Sequence, residues 1–170
     1  GQKRRVLDAL VARLKTVEGA RVILNRPIDP EHDMADDDPE VADLAAIAID
    51  DGEGDRLINR EAAGVGIFEW VPRVLVFAKV GDIDGDRAGD AVGSLLGSLS
   101  DLARDIILAV MAPSEHHQLF DQTLGNTATD IVPTSIDLMP PAPGSVIGCA
   151  VVGFSIEYVE RFYIDEEGEP

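Results

Sequence analysis

The stretch that decides the fold runs from Asp86 to Ala112 and reads DRAGDAVGSLLGSLSDLARDIILAVMA. Its apolar residues recur every three or four positions, which places them on one side of a helix. That apolar side comprises Ala88, Ala91, Val92, Leu95, Leu96, Leu99, Leu102, Ala103, Ile106, Ile107, Val110 and Met111. Asp86 is suited to cap the start of the helix, and Pro113 is suited to end it. A one-sided helix of about seven turns needs a flat apolar surface, so the flanking segments are expected to form a sheet.

Alternating apolar residues predict strands on both sides of this helix. Before it, residues 64–80 alternate over a long run, and Pro72 within the run indicates an edge, a bulge or a break. After it, residues 130–138 form a strand with an edge signal at Pro133, and residues 145–164 form a long closing strand. Shorter strands are expected at 21–24 and, in preference to a short buried helix, at 43–50.

A second amphipathic helix is predicted over residues 2–17, with Gly19 as its C-terminal cap. Its charged side is expected to be exposed and consists of Lys3, Arg4, Arg5, Arg13 and Lys15. Basic residues at the start of a helix oppose its dipole and cost about a few tenths of a kcal/mol each. The cluster is therefore either a solvated helix end or a contact with an acidic neighbour, such as another copy of the same chain.

These elements predict one α+β domain over residues 1–164, with an antiparallel or mixed sheet and both helices on one face. The chain of 170 residues is long enough for one core, and a hydrophobic content of 45% excludes a disordered chain. Acidic loop insertions are expected at 29–42 and 51–64, where proline, glycine and charged residues cluster. A flexible acidic tail is expected at 165–170.

The charge of the chain restricts its partners. There are 32 acidic and 14 basic residues, so the formal net charge is −18. Such a charge disfavours binding to nucleic acid and to anionic membranes, and no apolar run approaches the roughly 20 residues of a membrane span. The acidic charge suits a protein that must not adhere to DNA or a protein with a basic partner. It can equally reflect a general effect on solubility. The single cysteine, Cys149, excludes an intrachain disulfide and is expected to be a buried, inert thiol.

Two acidic runs are candidate cation sites. Asp82, Asp84 and Asp86 resemble the opening of a calcium loop, but Arg87 and Gly93 stand where that loop needs glycine and glutamate. A turn that ends in a helix cap explains these aspartates more simply. The run from Asp36 to Asp38 either holds a hard cation through its oxygen atoms or forms a solvated acidic loop. We therefore predict no metal site and no cofactor.

Catalytic signals are equally weak. Glu115 with His116 or His117 offers an acid–base pair, but no nucleophile motif or phosphate-binding loop accompanies it. Gly93 and Gly97 are more informative, because glycine inside a helix costs about 1 kcal/mol relative to alanine. A close backbone approach would offset that cost, either to the sheet of the same chain or to a neighbouring subunit.

Three sequence stretches carry a family resemblance. The N-terminal RRVLDALVARL leads into RVIL, a strand ending RVLVFAKV precedes a helix opening AGDAVGSLLGSLSDLARDIILAVM, and the chain closes with VVGFSIEYVERFYID. This layout resembles that of tailed-bacteriophage tail terminator proteins, the lambda-type minor tail protein family, and of related head–tail joining proteins. The resemblance covers most of the chain and rests on the order of its elements.

The resemblance implies a structural virion protein without catalytic activity, assembled in the host cytoplasm and located in the phage tail. Such proteins form a ring, expected to be a homohexamer, that caps the tail-tube protein and contacts the head–tail connector protein. DNA passes through the channel of the ring without specific binding. Candidate interface residues are the basic Arg4, Arg5 and Arg13, facing Asp36, Asp37 and Asp38 of a neighbour, together with Gly93 and Gly97.

Two other classes of function stay open at this point. The acidic composition also fits a cytoplasmic binding module for a basic protein partner or calcium. A hydrolase built on Glu115, His116 and His117 is the third alternative.

Overall fold

The computed structural model describes residues 1–24, 26–30, 45–62, 64–79, 88–112 and 120–162. Within these residues the chain forms two helices and one mixed sheet of seven strands, which confirms the expected α+β class. The helices are α1 (Gln2–Leu14) and α2 (Ala88–Met111). The strands are β1 (Ala20–Val22), β2 (Ala45–Asp50), β3 (Asp55–Ala62), β4 (Val65–Trp70), β5 (Arg73–Lys79), β6 (Asp130–Met139) and β7 (Ile147–Arg161).

The long strand β7 organises the sheet. The strands follow the order β1-β2-β5-β7-β4-β3, with β6 paired to β7 as a branch of this path, and β1–β2 is a parallel pair. β5 and β4 pair with successive halves of β7 in one continuous register, since Trp70 lies opposite Ile156 and Arg73 opposite Gly153. Residues 65–79 thus act as one long strand beside β7. On the side away from β7, the pairing of this strand is interrupted at Pro72. The strand region predicted over residues 64–80 is confirmed within its described residues, and of the three possibilities at Pro72 the structure shows the break.

Both helices pack on one face of this sheet. Strand β7 contributes its alternate residues Val152, Phe154, Ile156 and Tyr158 to the core, as the period of two requires. The helices cover these residues with fully buried apolar side chains: Val6, Leu10 and Leu14 from α1, and Leu99, Ala103, Ile106 and Val110 from α2. Each fully buried side chain of leucine or isoleucine size stabilises the fold by roughly 1.5–3 kcal/mol. From Leu99 to Met111, the predicted apolar side of α2 is therefore the core side.

The structure corrects two predicted boundaries. Helix α1 ends at Leu14 and not at residue 17, because the amide groups of Thr16 and Val17 form tighter turns with Arg13 and Leu14. Gly19 lies beyond these turns and does not cap the helix. The acidic loop expected at 51–64 is wrong for most of its length, since β3 occupies residues 55–62 and pairs with β4 as a hairpin. Sequence alternation is weak there because β3 is exposed along most of its length.

The edge signal at Pro133 is confirmed for the described residues. Strand β6 pairs with β7 and with no other described strand, and its register shifts between Pro133 and Ser135. Of the other predictions, the helix cap Asp86, the stop at Pro113 and the tail at 165–170 lie outside the described residues. The acidic loop at 29–42 also lies outside them, except at positions 29 and 30.

Candidate interaction surface

Arg13 is not an exposed interface residue, contrary to the expectation from its helix face. Its guanidinium donates to the carbonyl of Val110 at 2.6 Å and to Oδ2 of Asp121 at 2.6 Å. The side chain is only 12% exposed. The sequence could not reveal this, because both partners lie about a hundred residues away and neither belongs to a local pattern. Arg13 therefore holds the two helices together and is removed from the candidate interface.

Asp121 is the centre of this contact. Burial acts to raise the pKa of the Asp121 carboxyl, but hydrogen bonds from Thr123, Arg13 and Gly125 outweigh it and hold the pKa well below its usual range. The amide groups of Thr123 and Gly125 both donate to this carboxylate at 2.8 Å. The side chain is thus a stable anion that orders residues 121–127.

The N-terminus of α1 is capped by a carboxylate from β7. Glu160 accepts hydrogen bonds from the amide groups of Gln2 at 3.1 Å and Lys3 at 3.2 Å. These amide groups have no partner within the helix, and the negative charge of Glu160 complements the positive end of the helix dipole. The unfavourable dipole effect of the neighbouring basic residues is thereby reduced.

The side chain of Lys3 also forms contacts within the chain. Its ammonium lies 3.8 Å from the ring centre of Trp70, pairs with the carboxylate of Asp55 and lies 3.7 Å from Asp51. Tyr158 donates its hydroxyl to Asp55, and burial, aided by this carboxylate, raises the pKa of Tyr158 above its usual range. The tyrosine remains protonated at neutral pH, so the cluster positions α1 on the sheet and contains no activated nucleophile.

Arg4 and Arg5 remain on the surface, as predicted. Arg4 is 76% exposed and bonds Asp8 one turn later at 3.1 Å, which is a weak surface pair. Arg5 and Arg161 are exposed and line an open polar cleft of about 460 Å³ beside the start of α1. We call Arg4, Arg5 and Arg161 the basic end of the molecule.

The acidic charge is concentrated elsewhere in the sequence. Fifteen of the 32 acidic residues, but only one of the 14 basic residues, belong to segments 31–44, 80–87, 113–119 and 163–170. These segments lie outside the described residues, and so do Asp36, Asp37 and Asp38. The candidate calcium-binding residues Asp82, Asp84 and Asp86 lie outside them too. So do the candidate acid–base residues Glu115, His116 and His117. The described residues therefore carry a formal net charge of −4, much smaller than that of the whole chain.

Gly97 does not allow a close approach within the chain. It is exposed on α2, and a Cβ atom built on it would meet no atom of the described residues within 4 Å. The alternative that it faces the sheet is therefore wrong, and contact with a neighbouring subunit stays a prediction. Gly93 lies in the same helix, but its surroundings are outside the described residues.

Three strands, β1, β3 and β6, have only one neighbour each among the described residues, and the two longer ones, β3 and β6, lie on opposite sides of the sheet. The sequence did not identify the edges of β3 and β6 as candidate interfaces. Among the described residues β3 pairs only with β4, and β6 pairs only with β7. Both strands expose large apolar side chains: Leu57 and Ile58 on β3, and Val132, Ile136 and Met139 on β6. Unpaired strand edges with apolar side chains favour pairing with another strand. The only signal in the sequence was the proline within β6.

The described part of the chain holds no group of three or more metal-ligating side chains. Neither α1 nor α2 is long and apolar enough to span a membrane. No model of a known protein family matches this sequence, and no curated protein matches it either.

Proposed function

We propose that this protein is a structural virion subunit, a tail terminator or head–tail joining protein. In this proposal its copies form a hexameric ring that caps the tail tube and contacts the head connector, without catalysis. The order α-β-β-β-β-β-α-β-β, with both helices on one face of the sheet, supports the family resemblance of the sequence.

The observation that carries the proposal is the uneven distribution of charge along the sequence. Arg4, Arg5 and Arg161 form the exposed basic end, whereas nearly half of the acidic residues belong to four short sequence segments that contain a single basic residue. A surface with one sign and a segment with the opposite sign on the same chain can join copies head to tail. Such heterologous contacts close into rings when the rotation between copies permits. We place Asp36 to Asp38 of one copy against Arg4 and Arg5 of the next.

The same charge suits a channel for DNA. A ring whose inner surface is rich in carboxylates repels phosphate groups and does not retain a passing duplex. The net charge of −18 supplies such carboxylates in excess over basic residues. Under this proposal DNA passes through the ring without being bound.

The native mass of the purified protein tests the proposal, measured by light scattering with negative-stain images of the same sample. We expect closed rings with a central hole, either from the protein alone or after addition of the tail-tube protein. A protein that remains a monomer under both conditions contradicts the proposal and favours the acidic binding module.

Charge reversal tests which residues join the copies. Arg4→Glu combined with Arg5→Glu should weaken assembly at moderate salt, because both side chains lie at the basic end. Arg5→Glu alone and Arg104→Glu form a matched pair of single charge reversals, since Arg104 is an exposed arginine on α2 outside that end. Equal loss of assembly in both proteins would assign the effect to net charge and not to the basic end.

A further inference from the structure

We propose that β6 of one copy pairs with β3 of the next copy, antiparallel, with Ile136 opposite Leu57 and Asp137 opposite Arg56. This inference rests on the proposed function, because it names the strands that join the copies of the ring. Strand direction, side-chain face, backbone orientation and charge each support it independently.

The direction of the strands fits a head-to-tail ring. Strands β3, β4, β7 and β6 are antiparallel from each to the next, so β6 runs opposite to β3. The two strands lie on opposite sides of the sheet. When neighbouring copies keep their helices on the same face, β6 of one copy therefore meets β3 of the next in antiparallel orientation. The sheet then continues from copy to copy.

The proposed register also matches the faces of the sheet. Leu57 lies opposite Phe68, which lies opposite Tyr158, and Ile136 lies opposite Val152. Because directly paired residues share a face, Leu57 and Ile136 both lie on the face that the helices cover. They are 48% and 49% exposed. Their contact would bury apolar surface that water now covers.

The backbone of Ile136 has its polar groups on the free side of β6. Phe154 donates its amide to Pro72 on the β5 side of β7, at 3.1 Å. Backbone groups alternate along a strand, so those of Val152 also point to that side. Ile136 lies opposite Val152. It therefore forms a non-hydrogen-bonded pair, and its N–H and C=O point away from the sheet.

The same alternation applies at β3. Tyr158, four residues after Phe154, directs its backbone groups toward Phe68 in β4. The backbone N–H and C=O of Phe68 in turn point toward Tyr158 and away from Leu57, which lies on the other side of β4. The N–H and C=O of Leu57 thus point outward. Ile136 and Leu57 can therefore exchange two backbone hydrogen bonds in the proposed register.

One step along this register brings opposite charges together. Asp137 and Arg56 lie opposite Val151 and Glu69, on the face of the sheet without helices. Both residues are exposed, and the pair of Arg56 with Glu69 at 3.1 Å leaves the arginine 73% exposed. They form a non-hydrogen-bonded pair in the proposed register, in which side chains approach most closely. The charges therefore select this register.

Pro133 limits the extent of the pairing. Proline has no amide hydrogen, and the register of β6 shifts just after it. The joining segment is therefore the half of β6 after the shift, from Ser135 to Met139. Proline and register shifts also protect edges against indiscriminate pairing. The edge is thus open over a short segment, which suits one defined partner strand.

A cysteine pair tests the register directly. Cα atoms of a non-hydrogen-bonded antiparallel pair lie about 4.5 Å apart, within the range that a disulfide bridges. The double variant Arg56→Cys with Asp137→Cys should give a ladder of disulfide-linked oligomers on a non-reducing gel after mild oxidation. The native Cys149 is buried, and burial raises its pKa to about 11, so it contributes little to the ladder.

The matched control moves one cysteine to the other face of the sheet. The double variant Arg56→Cys with Ile136→Cys has side chains on opposite faces, so it should give no ladder.

In parallel, Ile136→Pro removes the outward N–H and should lower the native mass, whereas Ile136→Thr retains the N–H and should lower it less. Circular dichroism checks that each variant is folded.

The outcomes separate this inference from the proposed function. A ladder from the first double variant and none from the control supports both. Rings of the wild-type protein without a specific ladder, or with Ile136→Pro still assembling fully, overturn the strand pairing and leave the proposed function standing. A wild-type protein that stays a monomer, alone and with the tail-tube protein, overturns both.

Discussion

Nη2 of Arg13 lies 2.6 Å from Oδ2 of Asp121, a residue 108 positions later in the chain. The same guanidinium donates through Nη1 to the carbonyl of Val110, in the last turn of α2. A cation at the C-terminal end of a helix is favourable because the carbonyl groups there lack partners. One side chain thus joins α1, the end of α2 and the turn at residues 121–127.

Removal of this side chain should destabilise the monomer. Arg13→Met keeps much of the aliphatic stem but removes the donor to the Val110 carbonyl and one of the donors to the Asp121 carboxylate. Hydrogen bonds to charged groups contribute about 1.5–3 kcal/mol, so we expect the free energy of unfolding to fall by about that amount. Urea denaturation measures it, with Lys15→Met, an exposed residue on the same helix, as the control. Equal stability of the two variants would contradict the structural role of Arg13.

Acid should weaken the same contact. The pKa of Asp121 is lowered in the folded protein, against about 3.9 in an unfolded chain. Its stabilising effect is therefore fully present above about pH 5 and is lost as the pH falls through 3.9 toward the folded pKa. The stability difference between wild type and Asp121→Asn should be constant from pH 5 to 7 and shrink below pH 4. A difference that does not change down to pH 3 would refute this assignment.

The role of Arg13 and the position of β3 are two features that sequence patterns did not predict, and each has a physical reason. The strands β5 and β7 were predictable because apolar residues alternate along them, and Pro72 and Pro133 marked real interruptions. Strand β3 was missed because it lies at an edge and is stabilised by pairing with β4 more than by its own composition. The role of Arg13 was missed because a helix pattern reports local periodicity and carries no information about Asp121.

The candidate surface follows the same division. Arg4 and Arg5 were predictable as exposed residues from their position at the start of an amphipathic helix. The free edges of β3 and β6 were not, because an edge is defined by the order of strands in the sheet. Only the complete pairing identifies which strands have no second neighbour among the described residues.

Glu160 should stabilise α1 through its charge. It accepts from the amide groups of Gln2 and Lys3 at the start of the helix. Glu160→Gln retains one acceptor oxygen but removes the interaction with the helix dipole, which is worth about 0.3–1 kcal/mol. Thermal unfolding at low ionic strength should show a lower Tm for Glu160→Gln than for Glu157→Gln, a substitution on the opposite face of β7. A difference that persists unchanged in 1 M salt would argue against a charge effect.

Gly52 and Gly54 offer a matched pair in the turn between β2 and β3. Both have a positive φ, +71° and +83°, which strains any other residue except asparagine or aspartate. A Cβ atom on Gly52 would overlap the carbonyl oxygen of Val71, whereas a Cβ atom on Gly54 would meet nothing within 4 Å. Gly54→Ala should therefore cost about 1 kcal/mol from strain alone, and Gly52→Ala clearly more. Chemical denaturation of both variants measures the difference, and equal costs would contradict the close contact with Val71.

Gly97→Ala separates the stability of the monomer from the assembly of the ring. Gly97 is exposed on α2 with no atom of the described residues within 4 Å of a built Cβ, so alanine fits and should stabilise the helix by about 0.8–1 kcal/mol. Chemical denaturation in dilute solution should show that gain. If the glycine accommodates a neighbouring subunit, the same variant should assemble less well by light scattering. A gain in stability with unchanged assembly would remove Gly97 from the interface, because the added methyl group would then meet no neighbour in the ring either.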